Sequence, residues 1–379
     1  MLAPAHARDR SCRSLGFTSR EWRKMPRTLV LEGPRALQLR EESSRPLRPG
    51  EVRLRSCLSG ISHGTELSLY RGTSAFADRV FDRGMRTFVV PHAGSVSAYP
   101  VTLGYEMVSE VVETAPDVTA VNVGELVHTG TPHQEETVLD VATSFAATYP
   151  LVRLPESEPL EQALFISLTA VALQAVHDAE LKLGDAVSVH GMGAIGLLTV
   201  QMCRLDGIQR VFAVDPEPSR RELAKRFGAT DVLDPFADPP VPLQVRQDNG
   251  GVGVDVALEM SGSDRALQDA LASVGLGGRV VAAGFYQGGA GHVRLGEEFH
   301  HNRLTLVASM GGWGAPHRQA PLWNRRRMME IAMQLIYTSH VDVDGFLGPQ
   351  FKFSEAEAAY SWLDEHPHDT VKVALRYDT

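Results

Sequence analysis

A glycine-rich turn between two apolar segments is the part of this sequence best suited to chemistry. Gly191, Gly193 and Gly196 follow the β-prone residues 186–189 and lie at the start of an apolar helical pattern over 195–205. In a strand, turn and helix of this kind, the first glycine permits a tight turn and the second lets the backbone approach a pyrophosphate. The third lets the helix pack closely on the strand.

The residues after this turn complete the pattern of a dinucleotide site. The N–H groups of Gly193, Ala194 and Ile195 would face a phosphate at the positive end of the helix. A second apolar segment, 211–214, ends at Asp215, whose carboxylate could accept hydrogen bonds from both hydroxyls of an adenosine ribose. A 2′-phosphate there would meet like charge, so the sequence favours NAD over NADP. A βαβ turn without a ligand is the alternative interpretation.

Length and composition limit the class of protein. A chain of 379 residues suggests two or three domains at ~150 residues each. The formal net charge of −9 argues against a nucleic-acid partner, and no apolar run reaches the ~18 residues that would span a membrane. Three cysteines are too few for a disulfide framework. We therefore expect a cytoplasmic protein that acts on a small molecule.

The order of strand and helix patterns predicts an α/β fold with two domains. We interpret residues 1–26 as a disordered extension and residues 27–160 as a β-rich domain to which 312–379 return. Residues 161–311 alternate between strand and helix patterns, which predicts a doubly wound parallel sheet of the Rossmann type. The predicted strands of that sheet are 186–189, 211–214, 231–233, 254–258, 279–283 and 305–308.

Over residues 27–379, the chain resembles the alcohol dehydrogenase-like group of the medium-chain dehydrogenase/reductase superfamily. The segments that carry the resemblance are 60–66 (GISHGTE), 103–106 (LGYE), 123–127 (VGELV), 184–185, the glycine turn with Asp215, 228–229, 254–256, 277–281 and Gly284. The resemblance implies a GroES-like catalytic domain, a Rossmann domain and hydride transfer in the cleft between them. It also implies a homodimer or homotetramer.

The same resemblance suggests further residues and a branch. Gly284 and Lys372 match positions near the cofactor of such enzymes, with Lys372 close to the phosphates. The HGTE, GYE and FHHNR segments are similar to a branch near bacteriochlorophyllide dehydrogenases. A plain surface lysine is the alternative interpretation of Lys372.

Three departures from the family concern the catalytic zinc. The family's first ligand position holds Ser62 or His63, the second holds Tyr105, and the third falls within 165–167 (FIS). Zinc prefers thiolate, imidazole and carboxylate ligands, so these residue types predict chemistry without a metal. The family's four-cysteine structural zinc lobe is also missing.

Without zinc, side chains must handle the oxygen of the substrate. Thr65 matches the family's hydroxyl relay, the phenol of Tyr105 could donate to the substrate oxygen, and His63 could act as a base or proton shuttle. Glu66 could act as an acid beside Glu106. Structural roles remain open for each residue, and so does a rebuilt metal site of His63, Glu66 and Glu106.

The function that fits these observations is a zinc-independent, NAD-dependent oxidoreductase. It would interconvert a secondary alcohol and a ketone of a polyol, cyclitol or specialised metabolite. One alternative is an NADPH-dependent reductase of enoyl or quinone double bonds. Another is an enzyme that uses bound NAD internally without net redox change.

Overall fold

The structure is a computed structural model with two compact units. It describes residues 25–75, 79–90, 99–145, 150–156, 159–311 and 323–378. The first unit contains the described residues as far as Phe165 and those from Leu347 onward, and the second unit runs from Ile166 to Phe346.

The first unit is built mainly from strands. Its strands are β1 Arg27–Gly33, β2 Ala36–Glu41, β3 Glu51–Ile61, β4 Val80–Asp82, β5 Thr87–Val89, β6 Val101–Thr102, β7 Met107–Thr114, β8 Leu126–Thr129, β9 Glu136–Asp140, β10 Val152–Arg153, β17 Leu347–Lys352 and β18 Lys372–Arg376. Its helices are α1 Thr65–Arg71, α2 Val141–Phe145 and α9 Ala356–Glu365, with 3₁₀ turns at Leu160–Phe165 and Phe353–Glu355.

A seven-stranded sheet forms the centre of the first unit. Its strand order is β10-β8-β7-β3-β18-β17, and β9 also pairs with β3. Strand β3 is buried along almost its whole length and pairs with β7 on one side and β18 on the other. The loop that follows β3 is therefore attached to the best-anchored strand of the unit.

The second unit alternates strands and helices. Its strands are β11 Ala186–His190, β12 Arg210–Val214, β13 Asp231–Leu233, β14 Val254–Glu259, β15 Val274–Ala282 and β16 Thr305–Ala308. Its helices are α3 Ile166–Ala179, α4 Ala194–Leu205, α5 Pro218–Arg226, α6 Val241–Asp248, α7 Asp264–Ser273 and α8 Arg325–Tyr337, with a π-helical turn at Leu295–Phe299.

The strands of the second unit form one parallel sheet in the order β13-β12-β11-β14-β15-β16. Every residue of β11 is buried, as expected for a parallel strand covered by helices on both faces. The strand order reverses between β11 and β14, where ligands of doubly wound sheets bind beyond the carboxyl ends of the strands. The predicted α/β fold class is confirmed.

The predicted domain boundary at residue 312 is wrong. Helix α8 belongs to the second unit, where it packs against α3, and the chain returns to the first unit only at Leu347. The reason is the apolar face formed by Met328, Met329, Ala332 and Ile336, which is buried in this arrangement. Residues 1–24 of the predicted extension lie outside the described residues.

One helical stretch is long and apolar enough to cross a membrane by length and composition alone. It covers Leu160–Ala179, and 67% of its most apolar window is buried inside the protein. Core helices of globular proteins pass the same test, so the stretch is explained by its place in the protein interior.

We expect Phe212→Ala to destabilise the second unit. Phe212 lies in the middle of β12, which is paired with β11 and β13, and is 0% exposed, so truncation would leave a cavity costing about 3–5 kcal/mol of unfolding free energy. Phe236→Ala is the matched control, because Phe236 is 82% exposed. Urea denaturation of both variants measures the difference, and equal midpoints would contradict the assigned burial.

Candidate functional site

The glycine turn of the second unit is held by two close backbone approaches. Gly191 follows β11 with a φ of +91°, and a Cβ atom there would lie 2.7 Å from the Cβ of Ser261. A Cβ atom on Gly196 would lie 1.8 Å from the carbonyl oxygen of Gly191. Both positions require glycine for the packing of the turn itself, before any ligand is considered.

The second glycine of the motif is different, because it borders open space. A Cβ atom on Gly193 would meet no atom within 4 Å. Gly193 is the N-cap of α4 and no described side chain caps the helix there. The first N–H groups of α4, those of Ala194 and Ile195, therefore lie beside open space. Free N–H groups at a helix N-terminus are the kind of site that binds a phosphate.

Asp215 ties the end of β12 to this turn. One carboxylate oxygen accepts a hydrogen bond from the backbone N–H of Met192 at 2.7 Å, and the other accepts from the N–H of Glu217 at 2.8 Å. The residue is 4% exposed. A carboxylate has further lone pairs, so these bonds leave capacity for ribose hydroxyls while fixing the side chain beside the glycine turn.

The sequence interpretation missed a second acid at the same edge of the sheet. Glu259 ends β14 and pairs with His190 of β11. Its carboxylate accepts hydrogen bonds from the N–H groups of Ser261 and Gly262, at 2.7 and 3.1 Å, and from the hydroxyls of Ser261 and Tyr286. Burial raises the pKa of Glu259, although these donors oppose the shift.

Gly284 has a packing role in this cluster. A Cβ atom at residue 284 would lie 2.1 Å from the nitrogen of Gly262 and 2.6 Å from a carboxylate oxygen of Glu259. Glycine at this position therefore lets the loop after β15 approach the loop after β14. The signal for Glu259 in the sequence was available: an acid directly after the predicted strand 254–258.

In the first unit, the predicted catalytic residues follow β3. Ser62 is buried, His63 and Thr65 are half-buried, and Thr65 begins α1. Tyr105 is half-buried and lies two residues before the start of β7. These positions leave part of His63, Thr65 and Tyr105 accessible from outside the unit.

Glu66 is held differently, at the centre of a buried hydrogen-bond network. One carboxylate oxygen accepts from the N–H of Ser62 at 2.9 Å, and the other lies 2.9 Å from Nε2 of His133 and accepts from the hydroxyl of Tyr360. Burial raises the pKa of Glu66, but His133, Tyr360 and Ser62 together hold it below its usual value. Glu66 is 2% exposed, so it supports the loop rather than reaching a substrate.

The network continues beyond His133. Its Nδ1 lies 2.7 Å from the hydroxyl of Ser59, which in turn lies 2.9 Å from the hydroxyl of Tyr377. Burial, followed by the charge of Glu66, raises the pKa of Tyr360 well above its usual value. No spacing in the sequence indicated His133, Tyr360 or Tyr377, because they come from distant parts of the chain.

Glu106 forms a second buried pair, with Lys372. The ammonium of Lys372 contacts the carboxylate of Glu106, and both side chains are almost fully buried. A Cβ atom on Gly60 would lie 2.4 Å from Cε of Lys372, so glycine on β3 makes room for the pair. Burial raises the pKa of Glu106, with Lys372 opposing the shift.

Lys372 therefore does not occupy the role predicted from the resemblance. We expected it near the cofactor phosphates, but it belongs to the first unit and its ammonium is committed to Glu106. The other cofactor candidates, Gly191 to Gly196, Asp215 and Gly284, all lie at one edge of the second unit.

Comparisons with known proteins support this assignment of the fold. A family model described as zinc-binding dehydrogenase matches residues 194–324. D-guloside 3-dehydrogenase of Escherichia coli K12 is 29% identical over 353 residues, which cover 92% of this chain and 99% of that protein. (R,R)-Butanediol dehydrogenase of Bacillus subtilis 168 is 30% identical over 278 residues, 68% of this chain and 75% of that protein.

The chain belongs to the medium-chain alcohol dehydrogenase family.

Two solved structures have the same fold as this chain. A zinc-binding dehydrogenase from Sinorhizobium meliloti bound to NADP has a TM-score of 0.73 at 21% identity and covers 93% of this chain and 100% of its own. An alcohol dehydrogenase from Escherichia coli CFT073 complexed with NADH has a TM-score of 0.72 at 18% identity and covers 93% and 99%. This chain is accordingly an oxidoreductase of the medium-chain dehydrogenase family.

The zinc that the family description implies does not fit the residues present. Among the described residues, no three His, Cys, Asp or Glu side chains come together in a way that could hold a metal ion. At the rebuilt site considered above, a cation would have to displace the donors of Glu66 and compete with Lys372 for Glu106. Ser62 and Tyr105 are poor ligands for zinc.

We expect Gly196→Ala to lower the stability of the chain and Gly193→Ala to leave it unchanged. The methyl group at residue 196 would collide with the carbonyl oxygen of Gly191, so this variant should lose about 1–3 kcal/mol or fail to fold. The methyl group at 193 enters open space, so that variant should keep the unfolding midpoint of the parent chain. Thermal unfolding measures both, and a destabilised Gly193→Ala would contradict the assigned turn.

Proposed function

We propose that the protein is a zinc-independent, NAD-dependent dehydrogenase that interconverts a secondary alcohol and a ketone. The observation that carries the proposal is a pair of features in one chain. The second unit has an open glycine turn with Asp215 beside it, and the first unit has Ser62 or His63 at the family's first metal-ligand position and Tyr105 at the second.

The names of two relatives support a polyhydroxylated substrate. The Escherichia coli relative acts on a D-guloside and the Bacillus subtilis relative on a butanediol. We infer that this chain acts on a polyol, a cyclitol or a sugar derivative of similar chemistry.

The side chains of the first unit would handle the proton of the reaction. Bound nicotinamide would accept the hydride from the carbinol carbon, and the hydroxyl proton must leave separately. Tyr105 would donate a hydrogen bond to the substrate oxygen, Thr65 would pass the proton on as both acceptor and donor, and His63 would receive it. Glu66, which we first considered as an acid, holds the loop that carries Thr65 and His63.

The chain's own residues favour NAD. Solved relatives bind NADP or NADH, so the family alone does not decide between them. Asp215 would repel a 2′-phosphate. The neighbouring guanidinium of Arg221 donates to the carbonyl oxygens of Asp215 and Pro216, at 2.6 and 2.7 Å, and pairs with Asp234 at 3.3 Å. These bonds commit Arg221 to the loop rather than to a phosphate.

We also propose that two copies of the chain associate as a homodimer. Strand β16 is at the edge of the second unit's sheet. Leu276, Leu306 and Met310, which lie on or beside β15 and β16, are exposed apolar side chains. An edge strand with apolar neighbours readily pairs with another strand, and a second copy would satisfy both features. A homotetramer of such dimers and a cytoplasmic location stay predictions.

We expect Tyr105→Phe and Thr65→Val each to lower kcat by about 10²-fold or more, because each removes a group that handles the substrate proton. The enzyme should hold no stoichiometric zinc and keep its activity in chelator. Tyr337→Phe at the end of α8 and Thr338→Val directly after it are matched controls that should keep full turnover. A requirement for zinc would contradict the mechanism, and so would full turnover in both active-site variants.

Substrate conversion without net formation of NADH would instead favour internal use of NAD.

We expect NAD to bind at least about tenfold more tightly than NADP, because Asp215 repels a 2′-phosphate. Fluorescence titration measures both affinities.

Gly193→Ala should weaken NAD binding about tenfold without loss of stability, because its methyl group enters the open space beside α4. Tighter binding of NADP would favour the double-bond reductase, and unchanged binding by Gly193→Ala would argue against a pyrophosphate at this turn.

A further inference from the structure

We propose that His133 is a positioning residue for the reaction, which holds the carboxylate of Glu66 against the Ser62 amide and so fixes the loop carrying His63 and Thr65. This inference rests on the proposed function of the site. His133 lies between β8 and β9, far in sequence from that loop.

The imidazole of His133 is buried and is held at both of its ring nitrogens. It is 0% exposed, its Nε2 lies 2.9 Å from Glu66, and its Nδ1 lies 2.7 Å from the hydroxyl of Ser59. Its backbone N–H donates to the carbonyl of Leu103 at 2.7 Å, and its carbonyl accepts from the N–H of Leu29 at 2.9 Å. The backbone and both ring nitrogens are therefore held by other parts of the first unit.

The sequence around the ring makes room for it. Gly104 has a φ of +104°, and a Cβ atom there would lie 2.6 Å from the backbone nitrogen and 2.9 Å from Cγ of His133. On another side, the ring of Tyr360 meets the imidazole edge-on, with 6.4 Å between centroids. The imidazole is therefore packed between Tyr360 and Gly104, the residue that directly precedes Tyr105.

Glu66 transmits this placement to the loop. The loop enters α1 through Gly64, and no described side chain caps the helix there. The bond from the Ser62 N–H to Glu66 closes the loop from within, with the N–H of Leu67 donating to the Ser62 carbonyl at 3.3 Å. Movement of the Glu66 carboxylate would therefore displace the segment that carries His63 and Thr65.

The charges around Glu66 give His133 a measurable signature. Burial raises the pKa of Glu66, and His133 is the largest influence that lowers it, followed by Tyr360 and the Ser62 amide. The other charged or titratable groups nearby are Glu106, Lys372, Tyr377 and Tyr105. Without His133, burial would dominate, and Glu66 would take up a proton at a higher pH.

The test compares His133→Leu with His133→Gln. In the Leu variant we expect kcat to fall about 10²-fold while the KM for NAD stays within about twofold, because the loop moves but the cofactor turn does not. Activity that depends on ionised Glu66 is lost as pH falls, so the low-pH side of the kcat profile should move to higher pH. The Gln variant, which restores a donor, should recover part of the rate.

His292→Gln is the matched control. His292 also contacts an acid, Asp264 at 2.8 Å, but on the exposed surface of the second unit, so its profile should match the parent enzyme. If the low-pH side of the kcat profile is unchanged in both His133 variants, the proposal is overturned.

A second readout separates this proposal from the proposed function. Infrared difference spectra between low and neutral pH record the protonation of a buried carboxyl group without any substrate. The band assigned to Glu66 by its loss in Glu66→Gln should appear at higher pH in His133→Leu. If the spectra shift but no alcohol is oxidised, the pairing stands and the proposed function fails. If they do not shift, the pairing fails.

Discussion

The buried carboxylate of Glu66 is the constraint on which the first unit depends. A buried charge costs several kcal/mol unless donors surround it, and removal of one partner leaves the full penalty. Its donors are Ser62 after β3, His133 before β9 and Tyr360 on α9. Because the charge requires all three, it joins three distant segments and specifies where the loop after β3 lies.

In the second unit, acids at the carboxyl edge of the sheet also accept hydrogen bonds from the adjoining loops. Asp215 accepts the N–H of Met192 and ties β12 to the glycine turn. Glu259 accepts donors from the loop after β14 and from Tyr286 after β15. In both units, buried or nearly buried acids hold the loops that a reaction needs to be still. Rigid loops keep the groups that they carry in a fixed geometry.

Features encoded by neighbouring residues could be predicted from the sequence, and features made by distant residues could not. The strands Asp231–Leu233 and Thr305–Ala308 lie where their apolar runs placed them, and the glycine turn has the predicted close approaches. The boundary at 312 was wrong because α8 packs on α3, a contact with no local signal. His133 and Tyr360 were missed for the same reason: only the folded chain brings them to Glu66.

The pairing of charges also explains why these acids do not suggest a metal site. A cation at these acids would have to compete with Lys372 for Glu106 and with three donors for Glu66. To bind zinc, the protein would have to break buried bonds whose loss costs several kcal/mol each. At the ligand positions that the resemblance suggests, Ser62 or His63 and Tyr105 stand in the first and second places. Donors within the protein thus stabilise the buried negative charges of Glu66 and Glu106, which a bound ion could otherwise do. This supports the proposal of a reaction carried by side chains alone.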